Sequence, residues 1–386
     1  MRVFIIAGEP SGDKLGGALM SGLTALVPEV QFQGIGGEAM ERRGLSSLFP
    51  MQELSVMGLA EILPKYFHLK RRIAETAEAV LAAKPDVMIS IDSPDFCLRV
   101  AKIVKARSDI RTVHYVAPTV WAWRPKRAQK MAKVIDHVLA LFPFEPPYME
   151  AHGMRSDFVG HPVVAEPVPS SEDIAALRSE GGLGDAPVLL VLPGSRAGEV
   201  GRLADPFGAA LRVFLSDKPD WRVVIPAARP VADRVSEIAK EWPGQPVILD
   251  PRRYDEERAA QLKRGAFGAA QLALAASGTV SLELAAARTP MVIAYRFNPL
   301  TWAIMQRMVL IDTATLVNLV SETRVVPECL GAECTGDNIA AALEQVLANP
   351  DGQQDAMAMT MERLGQGGED PGLRAARAVL DGIGQA

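Results

Sequence analysis

Short apolar runs alternate with longer segments of mixed polarity along the whole chain. In the first half, these runs occupy residues 3–8, 30–34, 87–92, 112–116, 138–142 and 158–160. A second series occupies residues 188–192, 223–225, 247–249, 272–275 and 291–294. Apolar runs of this length, separated by helix-like segments, are typical of parallel strands in a doubly wound sheet. The pattern therefore predicts an α/β fold with two successive series of strands.

A proline-rich segment separates the two series. Residues 162–169 contain three prolines and precede a polar Ser-Ser-Glu sequence, which is the composition of an interdomain linker. We therefore predict two Rossmann-like domains that face each other across a cleft. The N-terminal domain spans residues 1–165 and the C-terminal domain spans residues 185–350, while residues 351–386 form helices that close the chain. Ligands of such sheets bind beyond the carboxyl ends of the strands.

Composition fits this organisation and narrows the function. The chain has 386 residues, of which 48% are hydrophobic, and this is enough for two cores of ordinary size. A formal net charge of -5 and a pI near 5.7 argue against a nucleic-acid partner, because such proteins normally present a broad positive surface. The three cysteines lack a paired spacing, which is typical of a reducing compartment, so we expect a cytoplasmic protein.

Two of the apolar runs lead directly into turns of small and polar residues. The first turn comprises residues 9–13, and the second comprises Ser277, Gly278 and Thr279. Each turn opens a helix, and the unpaired N–H groups and the dipole at a helix start suit a phosphate or a carboxylate. Similar turns also occur in α/β proteins that bind nothing there. Their presence in both halves of the chain favours a ligand held between the domains.

Two aspartates follow the run at residues 87–92. Asp92 stands at the predicted exit of the strand, and Asp95 lies three residues further on. A carboxylate in this place could accept a proton from an attacking hydroxyl group, as a general base does. Asp92 could equally end the strand, and Asp95 could cap the next helix. Spacing alone does not choose between these interpretations.

A possible diphosphate site follows the run at residues 188–192. Arg196 stands just beyond this run, and Glu283 lies one helical turn beyond Thr279. The planar guanidinium of an arginine pairs with diphosphate oxygens, and the Glu283 carboxylate could accept hydrogen bonds from ribose hydroxyls. The alternative for Arg196 is a surface ion pair with Glu199. A capping role for Ser277 or Thr279 is compatible with both interpretations.

Residues 114–124 contain two of the five tryptophans, Trp121 and Trp123, beside the basic Arg124. The aromatic faces could line a sugar or acyl substrate, although core packing is the simpler interpretation of each tryptophan.

The five histidines are scattered without the spacing of metal ligands, so we expect no metal site. The sequence patterns of kinases, serine hydrolases and dinucleotide-binding enzymes do not occur, which disfavours these three classes.

Six segments, read together, resemble the lipid-A-disaccharide synthase family. They occupy residues 7–13, 53–58, 91–96, 114–127, 192–196 and 276–279 in the order of the family, and they include a rare Val-Trp-Ala-Trp-Arg string. The resemblance implies a GT-B glycosyltransferase that joins UDP-2,3-diacylglucosamine to 2,3-diacylglucosamine 1-phosphate. The products would be UDP and, after inversion of the anomeric centre, a β-1,6-linked lipid A disaccharide. No cofactor is implied.

The resemblance also implies roles for individual residues. The N-terminal domain would bind the acceptor, and the C-terminal domain would bind the UDP-sugar. Asp92 would act as the general base, while Arg196 and the turn at residues 277–279 would stabilise the departing diphosphate. Glu283 would hold the ribose. The remaining contacts would be Asn318 beside the nucleotide, and Glu9, Ser11, Trp123 and Arg124 beside the acceptor.

A lipid substrate would explain the sequence of residues 57–72, where apolar residues adjoin a basic cluster. The predicted membrane and acyl-chain patch comprises Leu59, Ile62, Leu63, Tyr66 and Phe67. We expect this patch to attach the protein peripherally to the inner membrane surface, although an amphipathic helix packed on the sheet would show the same pattern. Residues 300–310 could likewise form a homodimer contact or pack in the core.

Two other functions are compatible with the predicted architecture. Another UDP-sugar enzyme, such as the transferase of peptidoglycan synthesis or a UDP-GlcNAc 2-epimerase, would not depend on acyl chains. A two-domain binding protein would close on its ligand without catalysing a reaction. Turnover of a UDP-sugar with an acylated acceptor separates these alternatives.

Overall fold

The computed structural model describes residues 1–54, 59–297 and 308–384, without the side chains of residues 59–66. The chain divides into two compact units. Unit 1 comprises Met1–Ala165 and Leu364–Ala386, and unit 2 comprises Glu166–Arg363. The boundary after Ala165 lies within the proline-rich segment, and the end of the chain returns to unit 1.

Unit 1 is built on a parallel sheet of six strands in the order β2-β1-β3-β4-β5-β6. All five residues of β3 are buried, as expected for a parallel strand that helices cover on both faces. The strands are β1 (Arg2–Ala7), β2 (Gln31–Ile35), β3 (Val87–Ile91), β4 (Arg111–Tyr115), β5 (His137–Ala140) and β6 (Arg155–Phe158). The helices before the boundary are α1 (Pro10–Leu26), α2 (Glu38–Glu41), α3 (Leu59–Ala83), α4 (Pro94–Lys105), α5 (Lys126–Met131) and α6 (Pro146–Glu150).

Unit 2 repeats this plan with a second parallel sheet of six strands in the order β12-β11-β10-β7-β8-β9. The strands are β7 (Val188–Leu192), β8 (Arg222–Pro226), β9 (Val247–Leu249), β10 (Ala270–Ala276), β11 (Met291–Tyr295) and β12 (Glu328–Leu330). The helices are α7 (Ser171–Glu180), α8 (Ala197–Phe214), α9 (Ala232–Ala239), α10 (Glu256–Ala269), α11 (Val280–Ala286), α12 (Leu316–Ser321), α13 (Gly336–Ala348) and α14 (Asp351–Arg363). The last helix, α15 (Pro371–Gly384), belongs to unit 1.

The strand order places one switch point in each sheet. The order reverses between β1 and β3 in unit 1, and between β7 and β10 in unit 2. Ligands of open α/β sheets bind beyond the carboxyl ends of strands at such a point. The turns after these four strands carry Glu9, Asp92, Arg196 and Gly278. The predicted α/β class with two Rossmann-like sheets is confirmed.

Helix α15 packs on α1 through small residues. A side chain at Gly22 in α1 would meet the carbonyl oxygen of Gly372 at 2.5 Å and the Cβ of Ala376 at 2.9 Å. A side chain at Gly372 would in turn meet the carbonyl oxygen of Ala18 at 2.7 Å. The two glycines therefore let the helix backbones approach closely, and this contact holds the end of the chain on unit 1.

Replacing Gly22 by alanine is expected to destabilise unit 1. The added methyl group has no room beside the Gly372 carbonyl group, and overpacking of this kind costs about 1–3 kcal/mol of unfolding free energy. The higher helix propensity of alanine offsets about 1 kcal/mol of this cost. We therefore expect the melting temperature, measured by calorimetry, to fall by a few degrees.

The matched control for this variant is Gly352→Ala in α14. Among the described residues, a methyl group there would approach Val325 alone, at 3.8 Å, so the melting temperature should stay the same or rise. A Gly22→Ala protein that melts at the wild-type temperature would contradict the close contact between α1 and α15.

Candidate functional site

The turns after β1 and β3 touch each other at the switch point of unit 1. Ala7 and Ile91 are paired in the sheet, and a side chain at Gly8 would meet the Ser93 Oγ at 2.6 Å and the Ser93 Cβ at 3.1 Å. Only glycine therefore fits at position 8 without moving the neighbouring turn. The Asp92 backbone N–H donates to the Tyr115 carbonyl oxygen at 3.0 Å, which ties this turn to the end of β4.

The backbone of the Asp92 turn is strained. Asp92 and Ser93 both adopt left-handed conformations, with φ of +50° and +43°. Two such residues in succession are uncommon outside glycine, and strain of this kind clusters at functional sites. Burial, reinforced by the nearby Asp92 carboxylate, raises the pKa of the Cys97 thiol. The Asp92 side chain itself is half-buried.

Asp95 occupies a different environment in the first turn of α4. Its side chain is 95% exposed, and its carboxylate lies 3.8 Å from the Arg127 guanidinium. The N-cap residue of α4 is Ser93, which forms no side-chain capping bond in the described part of the chain, and Asp95 is the acidic residue of the first turn. The fold holds Asp92 at the strand exit and leaves Asp95 in solvent, which favours Asp92 of the two candidate bases.

The first small-residue turn carries two carboxylates, Glu9 and Asp13, and the hydroxyl group of Ser11. Glu9 is half-buried and Ser11 is exposed, so both can reach a ligand. Asp13 is buried, and its carboxylate accepts the backbone N–H groups of Gly37, Ala39 and Met40 at 2.8 to 3.1 Å. This carboxylate stabilises the start of α2. Because Glu9 and Asp13 are both acidic, the turn suits sugar hydroxyls better than an anion.

The two tryptophans after β4 have different surroundings. Trp121 is buried, and its indole N–H donates to Glu145 at 3.1 Å. Trp123 is half-buried and donates to the Thr119 hydroxyl at 3.0 Å. The exposed Arg124 guanidinium lies 4.2 Å from the centre of the Trp123 ring. Core packing therefore describes Trp121, whereas Trp123 and Arg124 form a surface pair that a ligand could contact.

A cavity of about 700 Å³ lies at the carboxyl ends of the strands in unit 2. The last residues of four strands contribute to its wall, and five of the predicted nucleotide-binding residues line it together. These five are Arg196, Ser277, Gly278, Thr279 and Glu283. The strand ends are Leu192, Pro226, Leu249 and Ala276. The structure thus collects in one cavity residues that are far apart in the sequence.

Arg196 enters this cavity from the start of α8. Its side chain is 64% exposed, and its guanidinium lies 3.4 Å from the Glu199 carboxylate. The ion pair considered as the alternative is therefore present, but such a long and exposed contact contributes little stability. Glu199 itself is held by Tyr295, whose hydroxyl donates to it at 3.3 Å. The guanidinium can accordingly turn toward a diphosphate at small cost.

The turn at residues 277–279 presents its backbone to the cavity. Gly278 is exposed, and a side chain there would meet no protein atom within 4 Å among the described residues. The Ser277 hydroxyl donates to the Ala314 carbonyl oxygen at 3.0 Å, which fixes the turn. Thr279 forms no side-chain capping bond at the start of α11 in the described part of the chain. The N–H groups of Ser281 and Leu282 donate to the carbonyl oxygens of Gly278 and Thr279 at 3.3 and 2.9 Å, while Gly278 and Thr279 themselves are exposed at the mouth of the cavity.

Two cations that were not among the predicted site residues also line the cavity. Lys263 on α10 pairs with the Glu283 carboxylate, and Arg229 follows β8. The sequence offered a signal for Arg229, because it follows a strand end. Lys263 lies within a helix and carried no such signal. With Arg196, the cavity has three cationic and two acidic side chains, so its charge suits an anion.

Asn318 is not among the residues that line this cavity. It is buried, its amide donates to the Val326 carbonyl oxygen at 2.9 Å, and its side-chain oxygen accepts the Val326 N–H at 3.0 Å. The side chain thus joins α12 to the segment before β12. Its contact with a nucleotide stays a prediction that only the family resemblance supports.

The predicted membrane patch is described in part. Phe67 in α3 is 81% exposed. The side chains of Leu59, Ile62, Leu63 and Tyr66 lie outside the described residues, as do residues 300–307 of the predicted dimer contact. No helix in the described ranges is long and apolar enough to cross a bilayer. Within those ranges, no three His, Cys, Asp or Glu side chains come together as metal ligands.

Sequence comparison relates nearly the whole chain to one family. The family model described as lipid-A-disaccharide synthetase (LpxB) matches residues 3–378. The lipid-A-disaccharide synthase of Ruegeria pomeroyi is 72% identical over 381 residues, which cover 99% of this chain and 95% of that protein. The lipid-A-disaccharide synthase of Rhodospirillum centenum is 47% identical over 390 residues, with 99% and 95% covered.

Solved structures with the same fold share little sequence with this chain. UDP-GlcNAc 2-epimerase from Neisseria meningitidis bound to UDP-GlcNAc has a TM-score of 0.64 at 11% identity, and 100% of each chain is covered. MurG from Acinetobacter baumannii has a TM-score of 0.54 at 13% identity, covering 100% of this chain and 99% of that one. At such low identity, these similarities establish the fold alone.

Proposed function

Because the chain belongs to the lipid-A-disaccharide synthase family of glycosyltransferases, we propose that it joins UDP-2,3-diacylglucosamine to 2,3-diacylglucosamine 1-phosphate. The reaction releases UDP, inverts the anomeric centre and forms a β-1,6-linked disaccharide 1-phosphate. One observation carries this proposal for the donor. The cavity of unit 2 brings Arg196, the 277–279 turn and Glu283 to the carboxyl ends of the strands, with three cations in its lining.

The donor nucleotide is held in this cavity. Arg196 meets two oxygens of the diphosphate with its planar guanidinium, and the exposed backbone of the 277–279 turn meets another oxygen. Negative charge grows on the diphosphate as the bond to the sugar breaks, so these donors stabilise the transition state more than the ground state. Glu283 accepts hydrogen bonds from the ribose, and its Lys263 partner adds positive charge nearby.

The acceptor is activated in unit 1. Asp92 accepts the proton of the acceptor's primary hydroxyl group as the oxygen attacks the anomeric carbon. The oxygen forms its new bond on the face opposite to the departing UDP, which inverts the anomeric centre. The contact between the Gly8 and Ser93 turns keeps Asp92 in place without a change of backbone during the reaction.

The acceptor sugar lies against the exposed and half-buried groups around Asp92. Glu9 and Ser11 provide hydrogen-bond partners for hydroxyl groups, and Trp123 offers an apolar ring face. Arg124 is exposed and can pair with the acceptor's phosphate. The exposed Phe67 and the basic residues that follow it attach the enzyme to the inner membrane from the cytoplasm, where its acylated substrates are inserted.

Release of UDP from matched donors tests the proposed reaction. The purified enzyme is given the acylated acceptor with either UDP-2,3-diacylglucosamine or the same donor without its acyl chains. We expect rapid release of UDP with the acylated donor and release at least about a hundred-fold slower without the chains, because remote binding energy is used in the transition state. Equal rates with both donors, or conversion of UDP-GlcNAc to its 2-epimer, would contradict the proposal.

A further inference from the structure

A buried carboxylate outside the predicted site holds the loop that presents Trp123 and Arg124. Glu145 is only 2% exposed and lies between β5 and α6. Its Oε2 accepts the backbone N–H groups of Leu141 and Phe142, each at 3.0 Å. Its Oε1 accepts the indole N–H of Trp121 at 3.1 Å. Three N–H donors thus converge on one side chain, and only a carboxylate can accept all three in this arrangement.

Trp121 is the residue through which Glu145 reaches the loop. Its ring packs edge-on against Phe144, with centroids 5.1 Å apart, and against Phe142 at 6.4 Å. Such apolar contacts tolerate small shifts and rotations of the ring, whereas a hydrogen bond to a buried carboxylate fixes its direction. The orientation of Trp121 therefore depends on Glu145.

The loop at residues 116–125 needs an anchor of this kind. Val116 and Arg124, near its two ends, both have left-handed backbones, with φ of +82° and +53°. This conformation is costly for a β-branched valine and persists only where the surrounding structure imposes it. Inside the loop, the Ala122 and Trp123 N–H groups both donate to the Thr119 carbonyl oxygen at 3.2 Å. These local bonds shape the tip of the loop but do not join it to the sheet.

We propose that Glu145 is a positioning residue for acceptor binding, which acts by holding Trp121 and, through it, the surface pair of Trp123 and Arg124. This inference rests on the proposed function, in which that pair contacts the acceptor. Trp123 lies two residues from the Trp121 anchor. The Arg124 guanidinium lies 4.2 Å from the centre of the Trp123 ring. A rotation of Trp121 would therefore move both groups together.

Replacing Glu145 by glutamine tests the inference with little change in volume. The amide oxygen can still accept the N–H groups of Leu141 and Phe142, but the NH2 group then faces the indole N–H of Trp121. Two donors that face each other in a buried site repel, so the loop loses its anchor. We expect the KM for the acceptor to rise about tenfold, while the KM for the donor and kcat at saturating acceptor change by less than about twofold.

Two further variants complete the kinetic experiment. Trp121→Phe removes the indole donor, and it should raise the acceptor KM by a similar factor. The double variant should be no worse than the single ones, because both remove the same hydrogen bond. The matched control is Glu150→Gln, an exposed residue of α6, which should leave all constants unchanged. An equal rise of the KM values for donor and acceptor, or an unchanged KM for the acceptor, would overturn the inference.

Hydrogen exchange separates this inference from the proposed reaction. The amides of Ala122 and Trp123 should exchange faster in Glu145→Gln and Trp121→Phe than in the wild-type protein, and at the wild-type rate in Glu150→Gln. Unchanged exchange in the first two variants would overturn the role of Glu145 even if the enzyme releases UDP as proposed. Faster exchange in these two variants, together with a wild-type enzyme that releases no UDP, would instead support the role of Glu145 in the loop and reject the proposed function.

Discussion

Replacing Asp92 by asparagine is expected to lower kcat for UDP release by about a thousand-fold, while the KM values change little. Asparagine has the same shape and tolerates the left-handed backbone at this position, where φ is +50°. The turn should therefore keep its conformation. The amide cannot accept the proton of the acceptor's hydroxyl group, so only the chemical step is affected. Steady-state kinetics with acylated donor and acceptor measure this change.

The matched control is Asp95→Asn. Asp95 is 95% exposed and its contact with Arg127, at 3.8 Å, is long for an ion pair, so its loss should change kcat by less than about twofold. The two variants differ only in which of two nearby carboxylates is removed. Wild-type turnover in Asp92→Asn together with a large loss in Asp95→Asn would assign the base to Asp95 instead.

Removing the Arg196 guanidinium has the second-largest expected effect. In Arg196→Ala, kcat/KM for the donor should fall by about a hundred-fold to a thousand-fold, because a donor aimed at the departing diphosphate is lost. The fold should be unaffected, since the side chain is 64% exposed and its ion-pair partner Glu199, 3.4 Å away, is also held by Tyr295. Arg196→Lys should recover part of the loss, because it keeps the charge without the planar pair of donors.

Arg212→Ala provides the control on the same helix. Arg212 is exposed near the end of α8 and does not line the cavity, so its removal lowers the net charge equally without touching the site. We expect its kcat/KM to remain within about twofold of wild type. A similar loss in both variants would mean that long-range charge, and not a contact at Arg196, supports the reaction.

Most strands were predictable because buried parallel strands are continuous apolar runs. The predicted runs 188–192 and 247–249 coincide with β7 and β9. The strand predicted at residues 158–160 is largely wrong, because it shares only Phe158 with β6. β6 is an edge strand whose polar Asp157 pairs with His137 at 2.7 Å, so its sequence lacks an apolar run. The short edge strand β12 was missed for the same reason.

The candidate site was predictable where its residues follow strand ends. Asp92, Arg196 and Gly278 all do so, and the rule that ligands bind at the carboxyl ends of strands led to each. Lys263 reaches the cavity from the middle of α10, which depends on how that helix packs. Asp13 caps α2 through N–H groups that lie 24 to 27 residues away in the sequence, and local patterns do not report such contacts.

The family was predictable from six short segments in their order, and the sequence comparisons confirm it. Finer roles were not equally accessible. Asn318 was assigned to the nucleotide by resemblance, yet its side chain is satisfied by Val326 in the structure. Glu145 belongs to no recognised motif, because its proposed role depends on a contact with Trp121, which lies 24 residues earlier in the chain. Contacts between distant segments therefore required the structure.

We propose that unit 2 binds the nucleotide and that Asp92 of unit 1 serves only the chemical step. Calorimetric titration of UDP into the wild-type, Asp92→Asn and Arg196→Ala proteins tests it most directly. We expect Asp92→Asn to bind UDP with wild-type affinity and Arg196→Ala to bind it at least about tenfold more weakly. Wild-type affinity in Arg196→Ala, or an equal loss of affinity in Asp92→Asn, would contradict this division of roles.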